Sequence, residues 1–266
     1  MQCSGAATGM KTASHTIDAF HRGHFFLVQP RGKGHRAGMD AMMLAATVPS
    51  SFSGRLADFG AGAGAAGLAV ASRCPNAEVV LVERSAEMAD FAAQTLALDQ
   101  NAHLRNRVSL LTADVTLTGR ARVAAGLADA SFDFVVMNPP FNTARDRATP
   151  DALKGEAHVM EDGMFERWIR SAAAVVRPRG RLALIARPGS LAAVLAALGG
   201  RFGGAEIVPI QPRADEPAIR IILRAVRGSR AGLSLMPPLV LHDAASDLFS
   251  PRADAINNGR ASLFRD

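Results

Sequence analysis

From Leu56 to Arg227, short apolar runs of strand length alternate with longer runs of helical character. That alternation narrows the possible folds more than any other feature of the chain. LADFG, AEVVLVE, RVSLLTAD, FDFVVMN and RLALIA read as strands. AAGLAVASRC, SAEMADFAAQTLALDQN, DGMFERWIRSAAAVVRP and SLAAVLAALGG read as the helices that follow them, with Ser85 placed to cap the second and Pro178-Arg179-Gly180 to close the third. Strands separated by helix-length connections lie parallel in one sheet with helices on both faces. The prediction is therefore an α/β chain with a mostly parallel sheet. The last two strand candidates, AEIVPI and IRIILRAVR, lack a helix-length spacer and are expected to form an antiparallel pair at the sheet edge.

Ahead of the alternating region, residues 1–14 read as irregular. HTIDAFHRGHFFLVQP gives a short turn and a strand at 25–29, RGKGHRAG a basic glycine-rich loop, and 39–49 a helix with Asp40 in its first turn. The tail after Gly232 is rich in Pro, Asp and Asn. At 266 residues the chain is long enough for a full core. The expected organisation is an N-terminal segment at 1–50 over the ligand side, a catalytic domain at 51–230, and a tail at 231–266 packed on the same domain. No signal peptide or membrane span is visible, and Cys3 and Cys74 do not suggest a disulfide framework. A reducing, cytoplasmic setting is expected, with a monomer favoured.

LADFGAGAGAAGLAV runs from strand into helix. Asp58 precedes Gly60, Ala61 and Gly62, and Gly62, Gly64 and Gly67 also satisfy a dinucleotide-binding spacing. Glu83 ends the next strand and Asp114 the third, placing acids at three successive strand ends. Open α/β sheets bind ligands at that edge, where Glu83 can accept ribose hydroxyls and Asp114 an adenine amine. Two adenosine cofactors fit this far, a nicotinamide dinucleotide and S-adenosylmethionine. Asp58 disfavours a pyrophosphate beside the loop and suits the sulfonium and amino cations of S-adenosylmethionine, which is the preferred reading.

The fourth strand, FDFVVM, runs into Asn138-Pro139-Pro140-Phe141. Prolines cannot continue a central strand, so the turn exposes a rigid polar head and an aromatic plate at the same edge. The Asn138 amide oxygen and the Pro139 carbonyl can accept both hydrogens of an NH₂ group. Such a grip aims the nitrogen lone pair at a methyl donor, and Phe141 can stack on a planar acceptor.

These residues resemble the Rossmann-like class I methyltransferases that act on amino groups, whose signature is [Asn/Asp/Ser]-Pro-Pro-[Tyr/Phe/Trp]. The resemblance implies a seven-stranded sheet with the last strand antiparallel. It implies that Asn138, Pro139, Pro140 and Phe141 form the acceptor site, and that Asp58, Gly60, Ala61 and Gly62 meet the methionine end of S-adenosylmethionine. Glu83, with Arg84 beside it, matches the ribose position, and Asp114 with Val115 the adenine position. GHRAGMDAMMLAATVP is similar to a segment of the bacterial tRNA(adenine-N6) methyltransferases that covers the cofactor, which implies Arg36, Gly38 and Asp40 on the cofactor side. Phe141 stands where those enzymes usually carry Tyr, and the tail lacks their usual ending. Ribosomal RNA and protein-glutamine methyltransferases share the tetrad. The implied activity is methyl transfer to adenine N6 in RNA, tRNA foremost, with ribosomal RNA or a glutamine amide as alternatives and a non-catalytic RNA-binding module as a further one.

A formal charge of +6, carried mostly by arginine, fits a polyanionic partner. His15, His21, His24 and His35 lack metal-ligand spacing, so no metal is expected and the histidines are read as solvated or polyanion-facing. Trp168 is read as core. The stretch 142–163 is read as a long polar loop over the site, with Arg145 and Arg147 as candidate phosphate contacts and His158 as a candidate substrate neighbour.

Overall fold

The computed structural model describes residues 15–31, 37–140, 153–243 and 246–264. The described residues open with a hairpin, β1 (His15–Phe20) and β2 (Phe25–Pro30), followed by α1 (Met39–Ala45). Then β3 (Gly54–Phe59), α2 (Ala65–Arg73), β4 (Ala77–Glu83), α3 (Ala86–Ala97), β5 (Val108–Thr112), α4 (Gly119–Ala124) and β6 (Phe132–Met137) alternate as the pattern predicts. The second half holds α5 (Leu153–Val175), β7 (Val176–Ala186), α6 (Leu191–Leu198), β8 (Phe202–Gln211) and β9 (Arg220–Arg227). It closes with the short strands β10 (Ser234–Leu235) and β11 (Leu239–Val240), then α7 (Pro251–Asn257).

The sheet order is β10-β8-β9-β7-β6-β3-β4-β5, with β11 also on β8. β3 to β7 run parallel to one another, and β9 runs antiparallel to both neighbours. The mostly parallel sheet with its antiparallel last long strand is borne out. β10 and β11, two residues each, extend it beyond seven strands by lying parallel to β8. The β8–β9 pair is antiparallel as expected, but β9 is interior, inserted between β8 and β7. Chain order alone does not reveal that crossing.

Three other expectations change. HTIDAF is a strand, not a turn: β1 pairs along its whole length with β2. The expected polar loop gives way to α5 at Leu153. Gly155 and Gly163, with the surrounding charges, hide that helix from propensity reasoning. Pro178 does not terminate a helix but sits near the start of β7, where the register against β6 shifts between Phe132 and Phe134. An irregular strand start tolerates proline because it needs no ladder N–H there.

The terminal segments share the central core. Phe25, Leu27 and Met42 join Ile256, Leu263 and Phe264 in the same buried cluster as the sheet. Asn101, fully buried, fixes the hairpin to the body. Its Oδ1 accepts from Phe26 N at 2.9 Å, and its Nδ2 donates to the Phe26 and Thr95 carbonyls, each at 2.8 Å. Thr95 Oγ1 accepts from Val28 N at 2.9 Å. Two side chains thus do for β2 what a neighbouring strand would do, which explains two buried polar residues in an apolar layer. In the tail, Ser250 caps α7 and Leu263 N donates to the Ala46 carbonyl at 2.7 Å.

His21 corrects its expected role. It is buried, packs edge-on against Phe25 with ring centroids 5.1 Å apart, and has Nδ1 3.3 Å from Ser72 Oγ. Burial first, then the Arg73 and His24 charges, lowers its pKa from 6.5 to about 4. It is a neutral core residue. No helix among the described residues is long and apolar enough to cross a membrane.

Candidate active site

Parallel register brings the predicted residues to one edge. Phe59 lies opposite Met137 on β6 and Val82 on β4, so Gly60, Asn138 and Glu83 leave three adjacent strands at one level. Glu83 lies opposite Thr112, which puts Asp114 just beyond the end of β5.

The glycine loop is stitched to the strands by its own backbone. Gly60 N and Ala61 N both donate to the Val82 carbonyl, at 2.8 and 3.1 Å, and Gly64 N donates to the Ala61 carbonyl at 2.8 Å. Gly62 N donates to Glu83 Oε2 at 2.9 Å. Gly67 N donates to Asp58 Oδ2 at 2.8 Å. A phosphate-binding loop points such N–H groups at its ligand. Here they are turned inward, and two carboxylates face the loop, an arrangement that repels a pyrophosphate and suits a cation.

Two glycines are required by close approach. Gly60 has φ +71°, and a Cβ there would stand 2.6 Å from Trp168 Cη2. A Cβ on Gly67 would stand 2.3 Å from Leu81 Cδ2, so this glycine lets α2 lie close on β4. Its place in the dinucleotide spacing therefore has a packing explanation.

Asp58 is 2% exposed. Burial raises its pKa from 3.8 to about 7, the Gly67 N–H opposes the rise, and Glu83 adds to it. Glu83 is also buried, and its other oxygen accepts from Ser85 N at 2.8 Å. A carboxylate has about four acceptor positions, so each oxygen retains capacity for a hydroxyl donor. Asp114 Oδ1 accepts from both Thr116 N and Thr116 Oγ1 at 2.7 Å, while Oδ2 lies 3.7 Å from Arg84 Nη1. The Asp114 pKa is lowered: burial works against the shift, and the Thr116 hydrogen bonds with the Arg84 charge outweigh it. Val115 is buried in the core.

Just after β6, Asn138 is half-buried, Pro139 buried and Pro140 exposed. Asn138 Oδ1 is shielded from solvent and accepts no hydrogen bond among the described residues. An unsatisfied buried acceptor costs about 1–3 kcal/mol. It stands at the strand end beside the glycine loop, where a ligand donor can satisfy it. Phe141, Arg145, Arg147 and Arg36 lie outside the described residues, as does the His158 side chain.

α1 reaches the same edge. Arg220 Nε donates to Asp40 Oδ2 at 2.9 Å, and Arg220 opens β9 opposite Ile210, at the carboxyl end of β8. Gly38 is the residue before α1, and Ala37 N donates to Gln29 Oε1 at 2.6 Å. Sequence reasoning missed Arg220, Thr116 and the contact of Trp168 with the loop. The Asp-x-Thr spacing at 114–116 is a signal for a local side-chain turn and could have revealed Thr116. Arg220 and Trp168 meet their partners only through the fold. Among the described residues, no group of three His, Cys, Asp or Glu is placed to hold a metal.

A mostly parallel sheet of this order, with an acid–glycine loop after its first parallel strand, is the fold of an S-adenosylmethionine-dependent methyltransferase. The chain belongs to the methyltransferase small domain family, whose model matches residues 36–211. The crystal structure of a predicted O-methyltransferase from Agrobacterium tumefaciens is similar at 47% identity and TM-score 0.75, over 85% of this chain and 99% of that one. A tRNA1(Val) (adenine(37)-N6)-methyltransferase from Pedobacter heparinus is 29% identical over 59% of this chain and 62% of its own length. A ribosomal RNA small subunit methyltransferase C from Haemophilus influenzae is 27% identical over 40% of this chain and 28% of its own. The chain thus spans about six-tenths of the length of the tRNA methyltransferase relatives it matches.

Proposed function

We propose that the protein transfers a methyl group from S-adenosylmethionine to the exocyclic N6 amine of adenine in RNA, with tRNA as the foremost substrate. The observation that carries this reading is the buried, unpartnered Asn138 Oδ1 beside the glycine loop. S-adenosylmethionine fits the residues present: inward-turned loop amides and two carboxylates suit its cationic end, and Glu83 suits a ribose. Asp58, Gly60, Ala61 and Gly62 would hold the methionine end, Glu83 with Arg84 the ribose, and Asp114 with Val115 the adenine. Gly38 and Asp40, with Arg36, would cover the cofactor from α1. When bound, the cofactor supplies the methyl group.

The protein's own part is positioning. Asn138 Oδ1 accepts one N6 hydrogen and the Pro139 carbonyl the other, turning the nitrogen lone pair out of the adenine plane. Pro139 and Pro140 keep the turn rigid, and Phe141 is assigned to stack on the base. A positioned acceptor of this sort stabilises the positive charge that develops on nitrogen. The surplus proton then leaves to solvent. An amide oxygen accepts a hydrogen bond but not a proton. The turn therefore suits an amine better than a hydroxyl, which must be deprotonated, despite the O-methyltransferase description of the Agrobacterium protein. The names of the tRNA and ribosomal RNA relatives support an RNA acceptor.

The test is radiolabelled methyl transfer into undermethylated tRNA, ribosomal RNA and protein extract, followed by nucleoside and amino-acid analysis. Label in N6-methyladenosine of tRNA is expected. Label in ribosomal RNA would move the substrate, and label in glutamine would overturn the RNA reading.

A further inference from the structure

A cleft of about 440 Å³ opens between the turn after β5 with α4 on one side and the helix α5 on the other. Leu117, Thr118 and Arg122 line one wall, and Arg170, Ser171 and Ala174 the other. One wall follows Asp114 in the chain, and the other lies on α5, the helix that carries Trp168. Leu117 N donates to the Asp114 carbonyl at 3.2 Å. Arg170 lies two residues beyond Trp168, whose ring abuts Gly60.

Among the described residues, the polar lining consists of cations and hydroxyls. Arg122 is buried, and its guanidinium donates to the Leu127 carbonyl and to Asp129, which pins it in place. Arg170 is exposed, with no hydrogen bond or ion pair to a described residue. Thr118 precedes α4, yet its side chain makes no capping bond. Ser171 is 3% exposed, and its hydroxyl has no partner among the described residues. Among the described residues, no carboxylate lines the cleft. The Arg170 guanidinium with the spare hydroxyls matches the oxygens of a phosphoryl group, and Arg122, held by Asp129, forms the fixed floor beside them. The volume falls in the range of small-ligand sites and exceeds what a lone phosphate fills. Leu117 and Ala174 supply apolar wall for a sugar.

We infer that this cleft is a phosphodiester subsite that seats one backbone phosphate of the polynucleotide substrate next to the methyl-transfer site. The inference rests on the RNA reading above for its occupant, and on the cleft alone for its chemistry. Such a contact positions the strand without reading its sequence.

The full-length protein and Arg170→Gln are titrated with a single-stranded RNA oligonucleotide over a salt series. Arg170 is exposed, so its replacement leaves the fold intact. Arg170→Gln is expected to weaken binding to all sequences alike and to lower the log–log salt slope by about one. S-adenosylmethionine affinity should stay unchanged. Ser171→Ala, which removes a hydroxyl without adding volume, should weaken RNA binding in the same uniform way. Wild-type RNA binding with an unaltered slope in Arg170→Gln would overturn the assignment to the substrate. A second arm keeps the site testable if the wild type binds no RNA. Inorganic phosphate is titrated while the arginine side-chain resonances are followed by NMR. Shifts at Arg170 and Arg122 in the wild type, with the Arg122 shift lost in Arg170→Gln, support the phosphoryl site. No shift at either arginine overturns it.

Discussion

The two halves of the ligand edge are finished to different degrees. On the β3–β5 side every acid already has a backbone or side-chain donor: Asp58 holds Gly67, Glu83 holds Gly62 and Ser85, and Asp114 holds Thr116. On the β6 side Asn138 Oδ1 has none among the described residues. The difference matches the roles proposed for the two halves. In that reading, a cofactor that binds in every cycle is met by a cradle whose shape is locked before it arrives, and the acceptor is met by a group whose partner is the substrate itself. If the account is right, the two halves can be damaged separately.

The largest separable effect belongs to Asn138. Asn138→Ala removes the positioned acceptor and should slow methyl transfer by roughly 10²-fold or more. Asn138→Asp, which keeps an acceptor oxygen, should retain part of the activity. A transfer assay under saturating cofactor reads both, and full activity in Asn138→Ala would remove the β6 half from the comparison.

Damage on the other half should appear first as lost affinity. Glu83→Ala removes the acceptor proposed for the ribose, where each charge-assisted hydrogen bond is worth about 1.5–3 kcal/mol. It also frees Gly62 N and Ser85 N. Calorimetry should show weaker S-adenosylmethionine binding by at least about tenfold. Unchanged affinity would mean that Glu83 serves the loop alone.

Gly60→Ala tests the cradle through its neighbour. A side chain at φ +71° is strained, and the added Cβ must displace Trp168. The expected cost is about 1–3 kcal/mol of stability, read by thermal unfolding. Trp168 is the single tryptophan of a chain with no tyrosine. Its emission should therefore report both this substitution and cofactor binding directly.

The smallest effect is on pH. The Asp58 carboxyl, raised to about 7 by burial, holds a proton that the unfolded chain releases near 3.8. Its contribution to stability therefore declines as pH rises from about 4 to about 7. A cationic ligand beside it favours the charged form. S-adenosylmethionine binding should then release a proton and tighten as pH rises through about 7. Asp58→Asn keeps an oxygen for the Gly67 N–H and should flatten that profile. A profile that is already flat in the wild type would place the cation away from Asp58.

What was legible in the sequence was local. The glycine loop, the acids at three strand ends and the asparagine turn could be read because each strand carries its own stop signal, and parallel register aligns those stops. The Ser85 cap was legible for the same reason. What depends on distant partners was not. Asp40 meets Arg220 across most of the chain, and nothing near either residue announces the pair. β1 becomes a strand because β2 pairs with it, and β2 is held by Thr95 and Asn101 from another element. Trp168 follows a helical apolar pattern that indicates burial but not against what, and its neighbour proved to be the glycine loop. His21 reads as a polar loop residue until the fold packs it beside Ser72 and Phe25.

The separation of the two halves is tested most directly by measuring S-adenosylmethionine affinity in Asn138→Ala, using Trp168 emission or calorimetry on the same preparation used for the transfer assay. The account predicts an affinity within about twofold of the wild type alongside a transfer rate reduced roughly 10²-fold. Cofactor affinity that falls in step with the rate would contradict it, because Asn138 would then belong to the cofactor cradle and the acceptor grip would have to be sought elsewhere.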